Sequence, residues 1–504
     1  MVIMEDSILY LLFSFLILFF VVKIFRSRFY HRNLPPSPPA LPVIGHLHLV
    51  KPPMHRTLQS LSLKYGPIFS LRFGRRLIVV ISSSSAVEEC FTKNDIILAN
   101  RPLSLVGKYI CYNNTTISQS SYGDHWRNLR RIAAIEIFST HRLNMFLGIR
   151  KEEIKRLITK LSDESLQDFT KFELKSMFKE LAFNVMVRMI AGKTYYGEDV
   201  SDDEEARQFR EITGEIVSNA GAANRGDYFP ILNWIDGGRF EKKLMRLGKR
   251  TDELLQRLID EHRRKKEENS ESMNTMIDHL LSLQESDPDY YTDEIIKGLV
   301  LNLLFAGSDT SAVTLEWAMS NLLNYPDTLK KARDEIDNQV GQECLLDELH
   351  LSSLPYLQNI IFETLRLYPA APLLLPHVSS NNCSIGGYDL PRDVMLLVNA
   401  WAMHRDPSLW DDPLSFKPER FDEEGDSNGF KFIAFGLGRR ACPGAVLAHR
   451  LLGSTLGTLI QCFEWKRVAD EEIDMLEGKG LTMPKVEPLE ALCKARPIMN
   501  KNLS

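Results

Sequence analysis

The hydrophobic positions along the chain predict a mainly α-helical protein with small β-sheets. Apolar residues recur at helical spacing over residues 144–161 and 250–267, which indicates long amphipathic helices. Residues 298–317 are apolar around nearly the whole helical circumference, so they predict a helix buried in the core. Within residues 66–81, the runs IFSLRF and RLIVVI flank a short polar segment with Gly74, which predicts a β-hairpin.

An uncharged run of sixteen residues, 7–22, predicts a membrane anchor near the N-terminus. A full span needs about 20 apolar residues, so the run is slightly short unless Lys23 extends its amine to the membrane surface. Two acidic residues precede the run and four basic residues follow it, which places its C-terminal side in the cytosol. A cleaved signal peptide is the alternative, but its basic residues would come first.

The expected organisation has three parts: an anchor with its basic flank at 1–32, a proline-rich hinge at 33–45 and one folded domain at 46–504. Prolines in LPPSPPALPVIG restrict the backbone, so we expect a stiff, extended spacer. A plain loop or a ligand for a proline-recognising module is the alternative. No flexible linker divides the interior.

The composition excludes two classes of protein. A formal net charge of −5 argues against nucleic-acid binding, which usually depends on a basic surface. The seven cysteines are scattered without paired spacing, and their number is odd. A disulfide framework is therefore not expected, and the folded domain is assigned to a reducing compartment.

The candidate chemistry is concentrated in the segment FGLGRRACPGA, residues 435–445. Gly436 and Gly438 permit a tight turn, and Pro443 suits the first position of a helix. Cys442 would then face free backbone N–H groups at a helix start, which stabilise a thiolate suited to binding a metal ion. A buried free cysteine is the ordinary alternative.

Four residues of this segment, Phe435, Gly438, Arg440 and Cys442, fit the pattern F-x-x-G-x-R-x-C, which resembles the haem-thiolate loop of the cytochrome P450 family. The resemblance implies the cytochrome P450 fold, preceded by an N-terminal transmembrane helix. It implies Cys442 as the iron ligand of haem b. Phe435 and Gly438 would contact the cofactor, and Arg440 would bind a haem propionate.

Three further cofactor contacts follow from the same resemblance. Trp126 and Arg130 lie four apart in W-R-x-x-R, on one face of a helix. The family's matching helix binds the haem propionates. His377 stands where the family places a basic residue that reaches a propionate, with a satisfied surface histidine as the alternative.

The predicted buried helix carries Gly307, Asp309 and Thr310 in its middle. A glycine there costs about 1 kcal/mol of helix stability, and a packing contact would be an ordinary reason to keep it. The segment resembles the family's oxygen-activation groove, in which Ala306 and Gly307 leave room for dioxygen. Thr310 would relay a proton, and Asp309 would connect that relay to water.

A second motif pair suggests a structural network. Glu363 and Arg366 form E-x-x-R, an ordinary ion-pair spacing on a helix. Arg420 lies in FKPERF, which resembles the P-E-R-F box of the family. The resemblance implies that these three residues form a buried carboxylate–guanidinium network with a structural role behind the cysteine loop.

The resemblance implies a monooxygenase that inserts one oxygen atom into a substrate C–H bond. No G-x-G-x-x-G follows a strand, so electrons are expected from NADPH through NADPH–cytochrome P450 reductase, with cytochrome b5 as a further candidate donor. The expected location is the endoplasmic reticulum membrane, with a single span and a cytosolic catalytic domain. A haem sensor or electron carrier is the alternative from another class, but it would not need Asp309 and Thr310.

Several segments, among them AGSDTSAVTLEWAMSNLL and NAWAMHRDP, resemble plant A-type enzymes, most closely the isoflavone 2′-hydroxylase-like group. The implied substrate is a small phenylpropanoid-derived aromatic, namely an isoflavone, flavonoid or lignan. Phe305, Ala306 and Leu374 are expected to line its pocket. Hydroxylation of a diterpenoid and formation of a methylenedioxy bridge on a lignan are the alternatives.

Overall fold

The computed structural model describes residues 11, 13–19, 33–197, 200, 203–219, 225–228, 238–268, 274–422 and 429–499. Most of the predicted anchor at 1–32 lies outside the described residues. Its described part, 11 and 13–19, is helical, and the large apolar side chains there are exposed. The anchor itself stays a prediction.

Helices make up most of the described chain, and the strands are short. The helices are α1 (Met54–Tyr65), α2 (Ser84–Phe91), α3 (Leu105–Tyr109), α4 (Asp124–Ile132), α5 (Thr140–Met145), α6 (Leu147–Ser165), α7 (Leu174–Ala191), α8 (Asp203–Asn219), α9 (Arg225–Tyr228), α10 (Arg239–Glu267), α11 (Met276–Ser286), α12 (Asp293–Asn324), α13 (Pro326–Gln339), α14 (Pro355–Leu367), α15 (Ala400–Met403) and α16 (Ala445–Cys462). The strands are β1 (Ile68–Phe73), β2 (Arg76–Ile81), β3 (Thr170–Glu173), β4 (His377–Val378), β5 (Cys383–Ile385), β6 (Tyr388–Leu390), β7 (Met395–Val398), β8 (Phe463–Lys466) and β9 (Glu490–Ala495). The predicted mainly helical fold with small sheets is confirmed.

The largest sheet has the strand order β1-β2-β7-β4. Strands β1 and β2 form the predicted hairpin, in which Phe73 pairs with Arg76 and Gly74 takes a positive φ of 57° at the turn. Alternate side chains of β2 enter different apolar clusters: Val79 packs with α2, whereas Ile78 packs with α1. Both faces of the hairpin are covered for this reason. The smaller sheets are β3-β9-β8 and β5-β6, both antiparallel.

Helix α12 runs through the centre of the helical body and packs lengthwise on α7. The side chain of Thr292 caps its first turn by accepting from the N–H of Ile295, and Asp293 and Glu294 complement the positive end of the helix dipole. Among the described residues α12 is the one helix long and apolar enough to cross a membrane, and 67% of its most apolar window is buried inside the protein. It is the predicted core helix.

The proline-rich hinge is docked onto the domain by hydrogen bonds, and its role as a stiff spacer stays a prediction. Ser70 in β1 donates its N–H to the Pro36 carbonyl over 2.7 Å and its hydroxyl to the Pro35 carbonyl over 2.9 Å. His46 Nε2 lies 2.8 Å from the Pro38 carbonyl. Proline removes amide donors but keeps its carbonyl, so the hinge can serve as an acceptor strip beside β1.

Candidate active site

Backbone contacts and one glycine hold the loop that carries Cys442. The N–H of Cys442 donates to the Phe435 carbonyl over 2.8 Å, and the Phe435 ring lies 5.1 Å from that of His449 in α16. Gly438 has a φ of 64°, which favours glycine. A Cβ on Gly438 would also lie 2.4 Å from Oδ1 of Asp95, so any other residue there would require Asp95 or the loop to move.

The Cys442 thiol is accessible, yet protein surrounds it closely enough for burial to raise its pKa. The N–H of Gly444 and the guanidinium of Arg130 oppose this shift, but the net direction is upward. Helix α16 begins at Ala445 and not at Pro443, so its first turn starts beyond the cysteine. The expectation that Cys442 keeps a thiolate beside backbone N–H groups stays a prediction, and a bound metal ion would favour the deprotonated form.

Cationic side chains collect beside this loop. Arg440 donates to three backbone carbonyls, and its guanidinium lies 4.3 Å from the ring centre of Trp126. Trp126 donates its indole N–H to the Ile117 carbonyl over 3.1 Å. His377 is buried and donates from Nδ1 to the Leu98 carbonyl at 2.7 Å. The ring face of Trp126 thus contacts the Arg440 guanidinium. A direct hydrogen bond from Trp126 to a haem propionate stays a prediction.

Arg101 belongs to this group, and sequence reasoning missed it. Its guanidinium donates to the carbonyls of Leu375 and Pro376 over 2.9 Å and 2.8 Å. Its Nε is buried and has no hydrogen-bond partner among the described residues. Arg101 differs from the exposed arginines of the chain in being only 7% exposed, which the local sequence NRPL does not reveal.

Arg101, Arg130 and Arg440, here called the cation cluster, repel one another electrostatically. Burial and the neighbouring Arg440 lower the pKa of Arg101 to about 9. Burial and Arg130 lower the pKa of Arg440 to about 10. Burial, reinforced by Arg101 and Arg440, depresses the pKa of His377 well below its usual value, so His377 is neutral. No carboxylate among the described residues pairs with any of these four side chains.

These residues fit haem b. Its two propionates are anions that need charge-assisted donors once they are buried with the macrocycle. The partnerless Nε of Arg101 and the neighbouring guanidinium groups of Arg130 and Arg440 are such donors. Cys442 would provide the single protein ligand to the iron. His377 would act as a neutral hydrogen-bonding group because its cationic form is disfavoured.

The middle of α12 is where the core opens. Over residues 296–323 only six side chains of this helix are not buried, namely Asn302, Phe305, Ala306, Gly307, Asp309 and Thr310. Thr310 donates its hydroxyl to the Ala306 carbonyl, 2.5 Å away, and Ala306 is the most accessible of the set. Asp309 accepts a hydrogen bond from the Thr482 hydroxyl at 2.7 Å. The two residues predicted to move protons therefore lie in the one partly accessible stretch of this buried part of the helix.

Gly307 has a packing role that the family resemblance does not imply. A Cβ at this position would lie 2.6 Å from Sδ of Met186 in α7. Glycine is therefore needed for the close approach of α12 and α7. The packing alternative is therefore observed, and the expectation that Ala306 and Gly307 leave room for dioxygen stays a prediction. Ala306 presents a small accessible surface.

The predicted pocket residues are partly buried at the edges of two apolar clusters. Phe305 packs against the main helical core, and Leu374 packs against the cluster beside the largest sheet. Leu374 has a φ of 52°, a left-handed conformation that is uncommon for a residue other than glycine. The segment 370–376 forms no strand, so Leu374 lies in a turn that precedes β4.

The predicted structural network is present as a set of close contacts. Arg366 donates to both carboxylate oxygens of Glu363, at 2.6 Å and 2.8 Å, and both side chains are fully buried. Arg420 donates its Nε to Glu363 at 3.1 Å. His404 extends the network by donating Nδ1–H to the Arg366 carbonyl and accepting at Nε2 from the N–H of Ile433, each at 3.0 Å. The segment leading into the cysteine loop is thereby tied to this buried ion pair.

The solved structures of known proteins include close matches to this fold. The structure of a zebra fish cytochrome P450 with progesterone superposes with a TM-score of 0.74 at 25% sequence identity, covering 89% of this chain and 100% of that chain. A family model for cytochrome P450 matches residues 35–489. The match includes the docked hinge, the cation cluster and the cysteine loop.

Plant proteins are similar to this chain over nearly its whole length. It is 58% identical over 497 residues to cytochrome P450 81E8 of Medicago truncatula, covering 98% of each chain. It is 55% identical over 489 residues to the isoflavone 2′-hydroxylase of Glycyrrhiza echinata, covering 97% of each. It is 55% identical over 473 residues to a (+)-piperitol/(+)-sesamin synthase of Sesamum radiatum, covering 94% of this chain and 92% of that protein. The chain therefore belongs to the cytochrome P450 family, in its plant isoflavone 2′-hydroxylase-like group, and is a monooxygenase.

Proposed function

We propose that this protein hydroxylates a flat, phenylpropanoid-derived aromatic, namely an isoflavone, flavonoid or lignan, with O2 and electrons that originate from NADPH. The supporting observation is 55% identity over 97% of both chains to an isoflavone 2′-hydroxylase. An apolar, partly buried lining with few polar groups suits a flat aromatic ligand. Phe305, Ala306 and Leu374 would orient the ring and exclude water from it.

The reaction consumes one O2, two electrons and two protons, places one oxygen atom in a substrate C–H bond and releases the other as water. Haem supplies the oxidising chemistry when it is bound through Cys442. The side chains of Arg101, Arg130 and Arg440 would hold its carboxylates. Thr310 presents a hydroxyl that can pass a proton, and Asp309 can accept a proton as a carboxylate and then donate it as a carboxyl group.

Electrons would come from NADPH–cytochrome P450 reductase at the endoplasmic reticulum membrane, with cytochrome b5 as a second donor. Support for a membrane location comes from exposed apolar side chains in two places. Residues 13–19 are helical, with large apolar side chains such as Phe15 at 70% exposure. Val43, in the docked hinge, is 74% exposed. Side chains of this kind favour a lipid interface over water.

The test is turnover in microsomes that contain this chain, a plant reductase and NADPH, offered a panel of isoflavones, flavones, lignans and abietane diterpenes. The expected result is a product heavier by one oxygen atom from an isoflavone or a close relative. Cys442→Ser should abolish both the product and the reduced carbon monoxide spectrum, and Thr310→Ala should divert NADPH into peroxide. Turnover of a diterpene alone would overturn the substrate class but keep the monooxygenase.

A second candidate reaction is closure of a methylenedioxy bridge on a lignan, favoured by the 55% identity to a sesamin-forming synthase. That reaction also consumes one O2 and two electrons, but both oxygen atoms leave as water and the substrate loses two hydrogen atoms. Mass analysis of the same panel separates the two reactions. A lignan product lighter by two hydrogens would establish ring closure, and a product heavier by one oxygen would establish hydroxylation.

A further inference from the structure

We propose that Thr482 positions the carboxylate of Asp309 in a cavity on one side of α12, and that protons consumed beside Thr310 enter through this cavity. The inference rests on the monooxygenase reaction described above. It assigns Thr482, which lies 173 positions from Asp309 in the chain, as a positioning residue for proton delivery.

The cavity has a volume of about 350 Å³. Asp309 and Thr482 both line it, and the hydroxyl of Thr482 donates to Oδ2 of Asp309 at 2.7 Å. Lys175 and Lys179 of α7 form another part of its wall. A cavity of this size with Asp309, Glu316 and Thr482 in its wall can hold water molecules, which are the source of transferable protons.

The cavity and Thr310 lie on different faces of α12. The helix residues that line the cavity are Asp309, Ala312, Val313 and Glu316, which share one stripe at helical spacing. Thr310 is not among the lining residues and instead bonds back to the Ala306 carbonyl. Adjacent residues of a helix point about 100° apart, so Asp309 can face the cavity while Thr310 faces another side. Of the two carboxylates that line the cavity, Asp309 is nearer than Glu316 to Thr310 in the chain.

Contacts that do not involve Asp309 fix the segment carrying Thr482. Trp317 of α12 donates its indole N–H to the carbonyl of Met483 over 2.7 Å, and the ammonium of Lys485 lies 4.8 Å from the centre of the Trp317 ring. The N–H of Leu489 donates to Glu316 at 3.1 Å. Because these contacts hold the segment against α12, removal of the Thr482 hydroxyl should release Asp309 without moving the backbone.

Proton delivery then has a defined sequence at these residues. A proton from bulk solvent crosses the cavity as hydronium, protonates Asp309 to form a carboxyl O–H bond and leaves neutral water. The carboxyl group turns and passes that proton towards the Thr310 hydroxyl, regenerating the carboxylate. Thr482 then donates to the carboxylate again and returns it to the cavity. No oxidant or reductant is needed beyond those of the monooxygenase reaction.

The test compares Thr482→Val, which keeps the shape but removes the hydroxyl, with Thr482→Ser, which keeps the hydroxyl. In haem-loaded full-length protein with reductase, the valine variant should lose about fivefold to tenfold in product per NADPH, with a matching gain in peroxide and an enlarged solvent isotope effect. The KM should stay unchanged, and the serine variant should stay within about twofold of wild type. The substrate is whichever panel compound the wild-type protein oxidises, so a wrong substrate class does not affect this result.

A crystal structure of the haem-loaded valine variant provides a readout without turnover. We expect the Asp309 carboxylate to leave the cavity while the Trp317–Met483 hydrogen bond is retained. Unchanged coupling in the valine variant would overturn the proposal. Equal losses in the valine and serine variants, or an Asp309 that keeps its position without the hydroxyl, would overturn it as well.

Discussion

Two groups of buried or half-buried charges in this protein differ in whether they contain a counter-charge of their own. In the Glu363 network, one carboxylate receives hydrogen bonds from Arg366 and Arg420, and the remaining guanidinium N–H groups donate to backbone carbonyls. In the cation cluster of Arg101, Arg130 and Arg440, no carboxylate of the described residues is present. The first group contains a counter-charge from its own chain, and the second does not.

The difference separates charges that serve folding from charges that serve binding. A buried charge without a counter-charge costs several kcal/mol, and an anionic ligand would offset that cost. The Glu363 network should therefore stabilise the protein with or without haem. The cation cluster should matter to the loaded protein and should be neutral or unfavourable without haem.

The largest expected effect is that of Glu363→Gln. The substitution leaves Arg366 buried without a counter-charge, which should cost about 3–5 kcal/mol of unfolding free energy. Denaturant unfolding, followed with haem and after haem extraction, should show the loss in both forms. The control is Glu419→Gln, because the Lys331–Glu419 pair is about half exposed and should contribute about 0–1 kcal/mol. A loss restricted to the loaded form would contradict the assignment of this network to folding.

The next effect is that of Arg101→Met, and it should distinguish the two groups by its sign. Removing one charge-assisted donor should weaken haem retention by about 10-fold to 100-fold, from about 1.5–3 kcal/mol per bond. Haem transfer to an excess of apomyoglobin measures this. The haem-free variant should be at least as stable as the haem-free wild type, because a repelling cation is gone. Arg392→Met, at an exposed site, is the control. Equal destabilisation of both forms would place Arg101 with the folding charges.

A smaller, pH-dependent effect on the free energy of unfolding is expected from His404, which bonds to Arg366 of the Glu363 network. Burial, with Arg366 and Arg405 adding to it, lowers the pKa of His404 to about 3 in the folded protein. An unfolded histidine titrates near about 6.5, so between these values the unfolded state binds more protons. Stability should fall as the pH drops below about 6.5, by up to about 1.4 kcal/mol per pH unit from this group.

The measurement for His404 compares wild type with His404→Asn. Denaturant unfolding at about pH 7 and about pH 5 should show a steeper loss for wild type, because the variant lacks the group that takes up the proton. Parallel pH dependence in the two proteins would show that His404 is not kept neutral by its surroundings. Asparagine retains one donor and one acceptor, so the two hydrogen bonds of His404 are the least disturbed by this change.

Elements specified by local patterns were predictable from the sequence. The alternation in IFSLRF and RLIVVI predicts the β1–β2 hairpin, and the uniformly apolar run 298–317 predicts the core of α12. Boundaries were less predictable: the amphipathic run 250–267 covers only the C-terminal part of α10, which begins at Arg239. The first part of that helix is rich in exposed charges, so its apolar periodicity is weak there.

The site residues that the sequence did not reveal depend on distant partners. Arg101 meets the Leu375 carbonyl across 274 positions of the chain, and Thr482 meets Asp309 across 173. Neither contact leaves a local pattern, because burial and proximity arise only when the chain folds. Cys442 shows the converse case: its motif indicates the ligand, but the upward shift of its thiol pKa depends on surroundings that the motif does not describe.

The repulsion within the cation cluster has a consequence for the turnover of this protein in a cell. A dianionic ligand that binds only the folded state shifts the folding equilibrium towards that state in proportion to its free concentration. Chains that capture haem slowly spend longer in opened forms that proteases cut. Arg101 and Arg440 would thus make the rate at which proteases degrade the protein depend on the haem supply.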